Sequence, residues 1–395
     1  MISHVPKQLC CGCHACYSAC PEKCISMQTD GEGFWYPVVD GQRCIECGLC
    51  QRVCPIVLAH SVERQPEAYA CRHKEDNVRM QSSSGGVFSP LAEKVLYNGG
   101  AIFGAVFNKS FCVVHDWTDN PEQLYRFRGS KYVQSRIGDT YIQAKHFLLQ
   151  KREVLFSGTP CQIAGLKAYL GQEYENLICL DLICHGVPSP LVWELYRKSV
   201  IGANALQAVN FRDKTVGWKR YSVGFELANG NKIKELNSRN NYLQGFLSNV
   251  YLRPSCYRCK FKTLQRQSDI TLADFWGIEN VFPHLDDDWG ISLVIVNSPK
   301  GAEMFSKVAD TLICQKADLQ QAIRYNPSAI CSVPYNAKRA EFFRKLPITE
   351  VSELIADTVR VSIYRNSYLK MRQFFSRILS LGKEIANLSF FKGGN

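Results

Sequence analysis

The stretch CCGCHACYSACP at residues 10–21 returns in the same form as CIECGLCQRVCP at residues 44–55. Each copy has three cysteines at two-residue spacings, a fourth cysteine after three further residues, and a proline directly behind it. Three thiolates at these spacings wrap one face of an iron–sulfur cubane, and the fourth is directed at the neighbouring cluster. The repeat therefore predicts a small ferredoxin-like module over residues 1–58 that holds two [4Fe-4S] clusters.

The eight cysteines of the repeat divide into two interleaved ligand sets. The first cluster is predicted to bind Cys10, Cys13, Cys16 and Cys54, and the second to bind Cys44, Cys47, Cys50 and Cys20. Two zinc sites are the alternative, which the triple spacing disfavours because zinc sites use paired Cys-x2-Cys halves. Cys11 and Cys24 lie outside the pattern and are expected to be small buried hydrophobic residues.

The chain has 395 residues, 19 cysteines and a formal net charge of +11. No apolar run reaches the roughly 18 residues that a membrane-spanning helix needs, and the N-terminus lacks the features of a signal peptide. We therefore expect a cytoplasmic protein. Its thiols then stay reduced, so the cysteines indicate metal binding and not a disulfide framework. Nucleic acid is not expected as a partner, because no recognised binding motif accompanies the positive charge.

Behind a polar linker at residues 59–67, short apolar strands alternate with helical patterns. Helices are predicted over residues 87–98, 139–149 and 163–170, and strands over residues 101–107, 113–117, 154–156 and 177–183. This alternation predicts an α/β or α+β fold with a large mixed sheet. We divide the body into residues 68–160 and residues 161–345, which are followed by a tail at residues 346–395.

Two loops of the body have the composition of anion-binding turns. Residues 82–86 read SSSGG before a predicted helix, and residues 157–161 read SGTPC after a predicted strand. Hydroxyls and backbone amides at a helix N-terminus favour a phosphate group. The alternative is that both loops are ordinary helix caps.

Five ordered motifs resemble the coenzyme F-420 hydrogenase/dehydrogenase beta-subunit family, and the match runs from Cys10 to about residue 340. They are SSSGGVF (82–88), RGSKYVQS (128–135), GTPCQIAGL (158–166), CHGVPSP (184–190) and DITLADFWG (269–277). The resemblance implies an iron–sulfur flavoprotein that binds FAD and passes electrons between clusters and a hydride carrier. In archaeal members that carrier is the deazaflavin coenzyme. The flavin contacts that the resemblance implies are Ser83, Ser84, Gly85, Gly86, Lys131, Tyr132 and Gln134.

Four further cysteines fall in or beside the family motifs and are predicted to hold a third [4Fe-4S] cluster. They are Cys161, Cys184, Cys256 and Cys259. Such a cluster would divide the electron pair of a flavin into the single electrons that ferredoxin clusters carry. The alternatives are a zinc half-site at Cys256 and Cys259, and buried cysteines without a ligand role at the two strand ends.

We expect an oxidoreductase whose partner is a redox protein or a soluble hydride carrier, and we assign no catalytic residue. The alternative is a non-catalytic electron-transfer subunit of a larger complex, which would lack flavin. A third hypothesis, an assembly protein without a redox role, predicts a colourless preparation. The tail carries apolar residues at helical spacing among basic ones, so it is predicted to dock on a partner subunit or an anionic membrane surface, or to pack on its own domain.

Overall fold

The computed structural model describes residues 2–58 and 63–360. The described residues form the strands β1 (Ile25–Thr29), β2 (Trp35–Val39), β3 (Glu67–His73), β4 (Ala101–Phe107), β5 (Val113–Thr118), β6 (Val154–Ser157), β7 (Leu177–Leu182), β8 (Leu206–Asp213), β9 (Ser222–Leu227), β10 (Lys232–Leu236), β11 (Ile270–Asp274), β12 (Ser292–Val296) and β13 (Leu312–Ala317).

The α-helices are mostly short, and most of them lie between strands in the sequence. They are α1 (Ala15–Ala19), α2 (Leu49–Arg52), α3 (Asp76–Met80), α4 (Phe88–Tyr97), α5 (Thr140–Leu149), α6 (Pro160–Leu170), α7 (Pro190–Ile201), α8 (Asn241–Leu247), α9 (Ile278–Val281), α10 (Pro299–Ser306), α11 (Leu319–Ile323) and α12 (Arg339–Lys345). Residues 351–360 are also helical. No helix of the described residues is both long and apolar enough to cross a membrane.

Eight strands form one mixed sheet in the order β13-β3-β12-β11-β7-β6-β4-β5. The four central strands β11, β7, β6 and β4 run parallel, and the outer pairings are antiparallel. The sheet takes strands from both sides of residue 160. The predicted mixed α/β fold behind a ferredoxin-like module is confirmed.

Helices cover both faces of this sheet, because side chains alternate along each strand. Ile102 and Leu155 point to the face that α4 and α10 cover. Phe103 and Phe156, their neighbours on β4 and β6, point to the face that α5 and α6 cover. The result is a three-layer core in which the strand ends, and not the faces, remain free to carry a site.

The other two sheets are small. Strands β1 and β2 pair antiparallel within the N-terminal module. Strands β10, β9 and β8 form an antiparallel sheet that packs with α7 and α8 around the buried rings of Trp193, Phe211 and Tyr242. This second core positions Arg212, at the end of β8, against the edge of the large sheet.

Capping residues determine where helix α6 begins and ends. Helix α6 begins at Pro160, three residues before its predicted start, because Thr159 and Gln162 form a capping box. It ends at Gly171, whose φ of +71° gives the left-handed cap. The predicted amphipathic helix of the tail lies outside the described residues.

Candidate metal and cofactor sites

The two cysteine loops of the module share one backbone shape although their residues differ. In the first loop the residues with positive φ are Gly12 (+67°) and His14 (+63°), and in the second they are Glu46 (+52°) and Gly48 (+72°). These residues occupy matching positions on either side of the middle cysteine. Both loops therefore curl in the same way, and glycine serves the left-handed position before that cysteine in one loop and after it in the other.

The first candidate site is a cavity whose lining includes Cys10, Cys13, Cys16 and Cys54. Burial raises the pKa of the Cys16 and Cys54 thiols, so their thiolates need a positive partner such as iron. His14 also lines the cavity, is 2% exposed, and finds no hydrogen-bond partner for either ring nitrogen among the described residues. Thiols from both loops and an unpartnered buried imidazole fit a polar inorganic cluster.

The second candidate site lies nearer the surface. Its lining includes Cys44, Cys47, Cys50 and Cys20. Cys47 is exposed, and Ile45, two residues before it, is 62% exposed. Cys24, which the repeat leaves out, also lines this cavity, and its sulfur is 3.3 Å from that of Cys20.

Helices α1 and α2 connect the two sites. Cys16 lies within α1 and Cys20 directly behind it, so one helical turn separates a thiol of the first site from a thiol of the second. Cys50 within α2 and Cys54 beyond its end repeat this arrangement. The interleaving of ligands between the loops thus follows from helix length.

The module packs on the body through close backbone approach and one ion pair. A Cβ atom at Gly165 of α6 would lie 2.8 Å from the Cβ and 2.9 Å from the sulfur of Cys13, so only glycine leaves room for the first loop. Arg339 of α12 pairs with Glu32, and the Ser189 hydroxyl donates to the Glu32 carbonyl at 2.5 Å. These contacts hold the module against α6, α12 and the start of α7.

A third candidate site lies where α6, β7 and the segment behind α8 meet. Its lining includes Cys161 at the start of α6, Cys184 behind β7, and Cys256 and Cys259 in and after a 3-10 helix at Pro254–Arg258. Burial raises the pKa of Cys184 to about 12 and also raises that of Cys256. The structure therefore brings together the four cysteines that were predicted to hold a third cluster.

The charge around the third site is positive. Its lining among the described residues contains no carboxylate and five basic residues, which are Arg253, Arg258, Lys260, Lys262 and Arg266. Within residues 2–58 and 63–360, no three His, Cys, Asp or Glu side chains converge closely enough to hold a single metal ion. Thiols spread around a cavity and surrounded by cations fit a four-iron cluster, which is anionic when four thiolates bind it.

Cys11 lies between the first and third sites. It lines both cavities, together with Cys13 in the first and Cys161 in the third. The cysteine spacing predicted no ligand role for this residue, because it directly follows Cys10 and falls outside the two-residue spacing of the repeat. Its position makes the walls of the two sites continuous.

A large cavity of about 600 Å³ opens at the edge of the main sheet where β6, β7 and β11 end. Parallel strands of an open sheet commonly bind ligands at this edge. Cys184, His185, Gly186, Val187 and Ser328 line both this cavity and the third site. The large cavity therefore shares a wall with the third cysteine cluster.

Five of the seven predicted flavin contacts line the large cavity: Ser83, Ser84, Gly86, Lys131 and Tyr132. Gly85 lies behind the loop, where its backbone amide donates to the Ser292 hydroxyl at 3.0 Å. Gln134 is 3% exposed and lies beside the module, with its amide group bonded to the Cys11 carbonyl and to Arg253. The SGTPC loop contributes Ser157, Gly158 and Thr159 to the cavity and Cys161 to the third site.

Two lysines near the Ser-Gly loop donate to backbone carbonyls, and the buried Lys214 supports that loop through Ser84. Lys214 donates to the carbonyls of Arg79, Ser84 and Trp289, and Lys131 donates to the carbonyls of Arg126 and Arg128. Burial lowers the pKa of each lysine to about 7. An anion in the cavity would favour their charged forms, so a diphosphate-containing cofactor such as FAD fits these residues.

Aromatic side chains occupy another part of the cavity wall. Trp276 stacks on Trp218 with ring centroids 4.8 Å apart. Arg212 lies over the Tyr221 ring at 4.1 Å and forms two hydrogen bonds with Asp274, at 3.0 and 3.1 Å. Trp276 and Tyr221 line the cavity, so they offer planar surfaces to a planar ring.

Sequence reasoning missed Arg253, Lys214 and Arg212. Arg253 directly precedes the Pro-Ser-Cys segment of the third site. This position in the sequence is the local signal that could have indicated a role for Arg253. Lys214 and Arg212 lie near the end of a strand in the second sheet, and no motif connects them to the Ser-Gly loop. Their roles depend on how the two sheets pack.

Two family models match the chain. Residues 9–57 match the 4Fe-4S dicluster domain, and residues 151–321 match the C terminus of the coenzyme F420 hydrogenase/dehydrogenase beta subunit. No curated protein matches the chain significantly. Thirteen chains of solved structures do. One of them comes from a xenon-derivatised structure of the F420-reducing [NiFe] hydrogenase complex from Methanosarcina barkeri. It is 14% identical, has a TM-score of 0.43, and the match covers 78% of this chain and 93% of that chain.

The family models and the motifs agree. The resemblance to the beta-subunit family is confirmed over residues 151–321, and the dicluster domain over residues 9–57. The chain is therefore an iron–sulfur electron-transfer protein of the oxidoreductase class, and its residues 151–321 are related to the coenzyme F420 hydrogenase/dehydrogenase beta subunit.

Proposed function

We propose that this protein passes electrons between the two clusters of its ferredoxin-like module, a third [4Fe-4S] cluster, and FAD in the large cavity. A flavin bound there would exchange hydride with a soluble carrier. Two electrons that arrive singly, together with one proton from solvent, make up each hydride that leaves. A bound flavin supplies the chemistry that links one-electron and two-electron transfer.

The observation that carries this proposal is the continuity of the four sites. The second site is open to the surface, and α1 and α2 connect it with the buried first site. Cys11 lines the first and third cavities together, and Cys184 lines the third cavity and the large one. A row of this kind gives electrons a short route from the surface to the flavin.

In this scheme the residues of the chain bind and orient the cofactors. The Ser-Gly loop, held by Lys214 and Arg212, offers hydroxyls and amides to the diphosphate of FAD. Trp276 and Tyr221 offer flat surfaces to a ring. The basic lining of the third site offsets the negative charge of its cluster.

The carrier we favour is coenzyme F420 or a hydride acceptor of similar chemistry. The support is the match of residues 151–321 to a beta-subunit family named for that coenzyme. A cytoplasmic location is part of the same proposal.

A second candidate function is a non-catalytic electron-transfer subunit of a larger redox complex. The exposed second site favours it, because Ile45 and Cys47 there present a surface on which a redox partner can dock. A related solved chain belongs to a hydrogenase complex. Flavin analysis of the purified protein separates the two candidates, because this second function predicts no bound FAD.

Replacing Cys256 with serine is expected to lower the iron content by about four atoms per chain, because the third site loses one of its four thiolates. Flavin should stay bound, since Cys256 does not line the large cavity. Cys331→Ser is the control, because Cys331 is exposed and lies outside the three cysteine cavities. Unchanged iron in Cys256→Ser would remove the third cluster from the proposal.

The electron route itself is tested by rapid mixing of the FAD-loaded protein with a one-electron reductant under anaerobic conditions. In the wild type the clusters and the flavin should both become reduced. In Cys256→Ser the flavin should follow the ferredoxin clusters more slowly, by roughly tenfold or more, because the cluster next to the cavity is missing. Equal flavin reduction rates in the two proteins would contradict the route.

A further inference from the structure

Arg253 is a fully buried charged residue between the module and the body. Its side chain is 0% exposed. Nε donates to the Cys10 carbonyl at 2.8 Å, Nη1 to the Gln134 side-chain oxygen at 3.0 Å, and Nη2 to the Trp35 carbonyl at 2.9 Å. Nη2 also lies 3.7 Å from the Cys10 sulfur. The guanidinium therefore reaches across the interface to a thiol of the first site.

No carboxylate among the described residues accompanies this cation. Its other close neighbours are the rings of Tyr36, at 4.3 Å, and Phe34, at 5.5 Å. Buried charges in proteins are normally paired, because an unpaired ion in a low-dielectric interior is costly. The nearby group that becomes anionic is the Cys10 thiolate, together with the cluster it binds.

Arg253 also lines the third site, where Cys256 follows it by three residues. The same guanidinium thus lies between the first and third cysteine cavities. Gly12, next to Cys11, leaves room for it, since a Cβ atom there would lie 2.9 Å from the guanidinium carbon. The first loop is therefore shaped around this side chain.

We propose that Arg253 is a positioning residue that raises the reduction potential of the cluster at Cys10, and so sets the direction of electron flow between the first and third sites. The proposal rests on the cluster assignment made under the proposed function. Each one-electron reduction adds a negative charge to the cluster. A fixed positive charge beside it stabilises the reduced form more than the oxidised form.

The test compares Arg253→Gln and Arg253→Lys in the full-length protein, purified without oxygen, by titration of the cluster EPR signals against potential. Glutamine keeps hydrogen-bond donors but removes the charge. It should make reduction of one cluster at least tenfold less favourable, which for a one-electron couple is a shift of about 59 mV towards negative potential. Lysine keeps the charge and should leave that potential within about threefold of the wild-type equilibrium.

Arg339→Met is the matched control for loosening the interface. Arg339 is also a buried arginine that joins the body to the module, but it pairs with Glu32, and no contact of its guanidinium with a cysteine is present among the described residues. Its removal should leave all cluster potentials unchanged. An equal shift in Arg339→Met would assign the effect to docking of the module and overturn the role of the Arg253 charge.

The remaining outcomes also decide the matter. A potential that stays in place in Arg253→Gln, or that shifts as far in Arg253→Lys as in Arg253→Gln, overturns the proposal. Loss of iron from both Arg253 variants would make the residue a structural support and would overturn it as well. Wild-type protein without clusters would instead defeat the proposed function, before any variant is compared. Repeating the titration with Cys256→Ser present should preserve the shift, because the first cluster remains.

Discussion

Cys54→Ala is expected to lose the first cluster and keep the second, although Cys54 belongs to the second cysteine repeat. The reason is that Cys54 lies beyond the end of α2 and lines the cavity of Cys10, Cys13 and Cys16. Iron should fall by about four atoms per chain. The measurement is iron analysis together with the EPR spectrum of the reduced protein.

Cys47→Ala is the matched comparison, because Cys47 lies in the same repeat but lines the second cavity. It should remove the second cluster and leave the first. Cys112→Ala, which changes an exposed cysteine outside these cavities, should leave the iron content as it is. If Cys47→Ala and Cys54→Ala abolished the same EPR signal, the interleaved ligand assignment would be wrong.

Gly85→Ala is expected to release the flavin. A Cβ atom at this position would lie 2.3 Å from the Cys71 carbonyl oxygen and 2.7 Å from the Ser292 backbone nitrogen. Both are backbone atoms of the main sheet, so the Ser-Gly loop would have to move away from the sheet edge. We expect the FAD content to fall by roughly tenfold, and the free energy of unfolding by about 1–3 kcal/mol as for other overpacked sites.

The clusters report whether Gly85→Ala acts locally. Iron content should remain at the wild-type value, because the three cysteine cavities do not include this loop. Gly41→Ala is the control, since a Cβ atom there meets nothing within 4 Å. Wild-type flavin content in Gly85→Ala would show that the cofactor does not depend on this loop.

The sequence predicted the parts of the fold that local patterns control. Strand β4 was predicted at its observed bounds, because an apolar run there follows the Gly99–Gly100 turn. Helix α6 was predicted too short, although Thr159 and Gln162 carry a capping-box signal at its true start. Capping residues therefore deserve more weight than the apolar periodicity that follows them.

The pairing of strands that are distant in sequence could not be predicted from local patterns. Strand β3 lies between β12 and β13, which follow it by more than two hundred residues. The two predicted body segments share one sheet for this reason. Tertiary contacts of this kind decide strand order, and a single sequence does not encode them in its local periodicity.

The residues of the candidate sites also divide into those that local sequence patterns predict and those whose roles depend on tertiary packing. Cysteine spacing predicted the eight thiols that the structure groups around two cavities, because their ligand geometry is local. Cys11 was predicted to be a small buried residue without a ligand role and Arg253 was given no role, since their positions depend on the packing of the module on α6 and on the segment after α8. Gln134 was assigned to the flavin by resemblance, but its contacts are with Cys11 and Arg253.

The most direct test of the account is the analysis of iron, acid-labile sulfide and FAD in one sample of the full chain purified without oxygen. The account predicts about twelve iron atoms, about twelve sulfides and one flavin per chain, in keeping with three cubanes beside one cofactor cavity. A colourless preparation that contains zinc and lacks sulfide would contradict it.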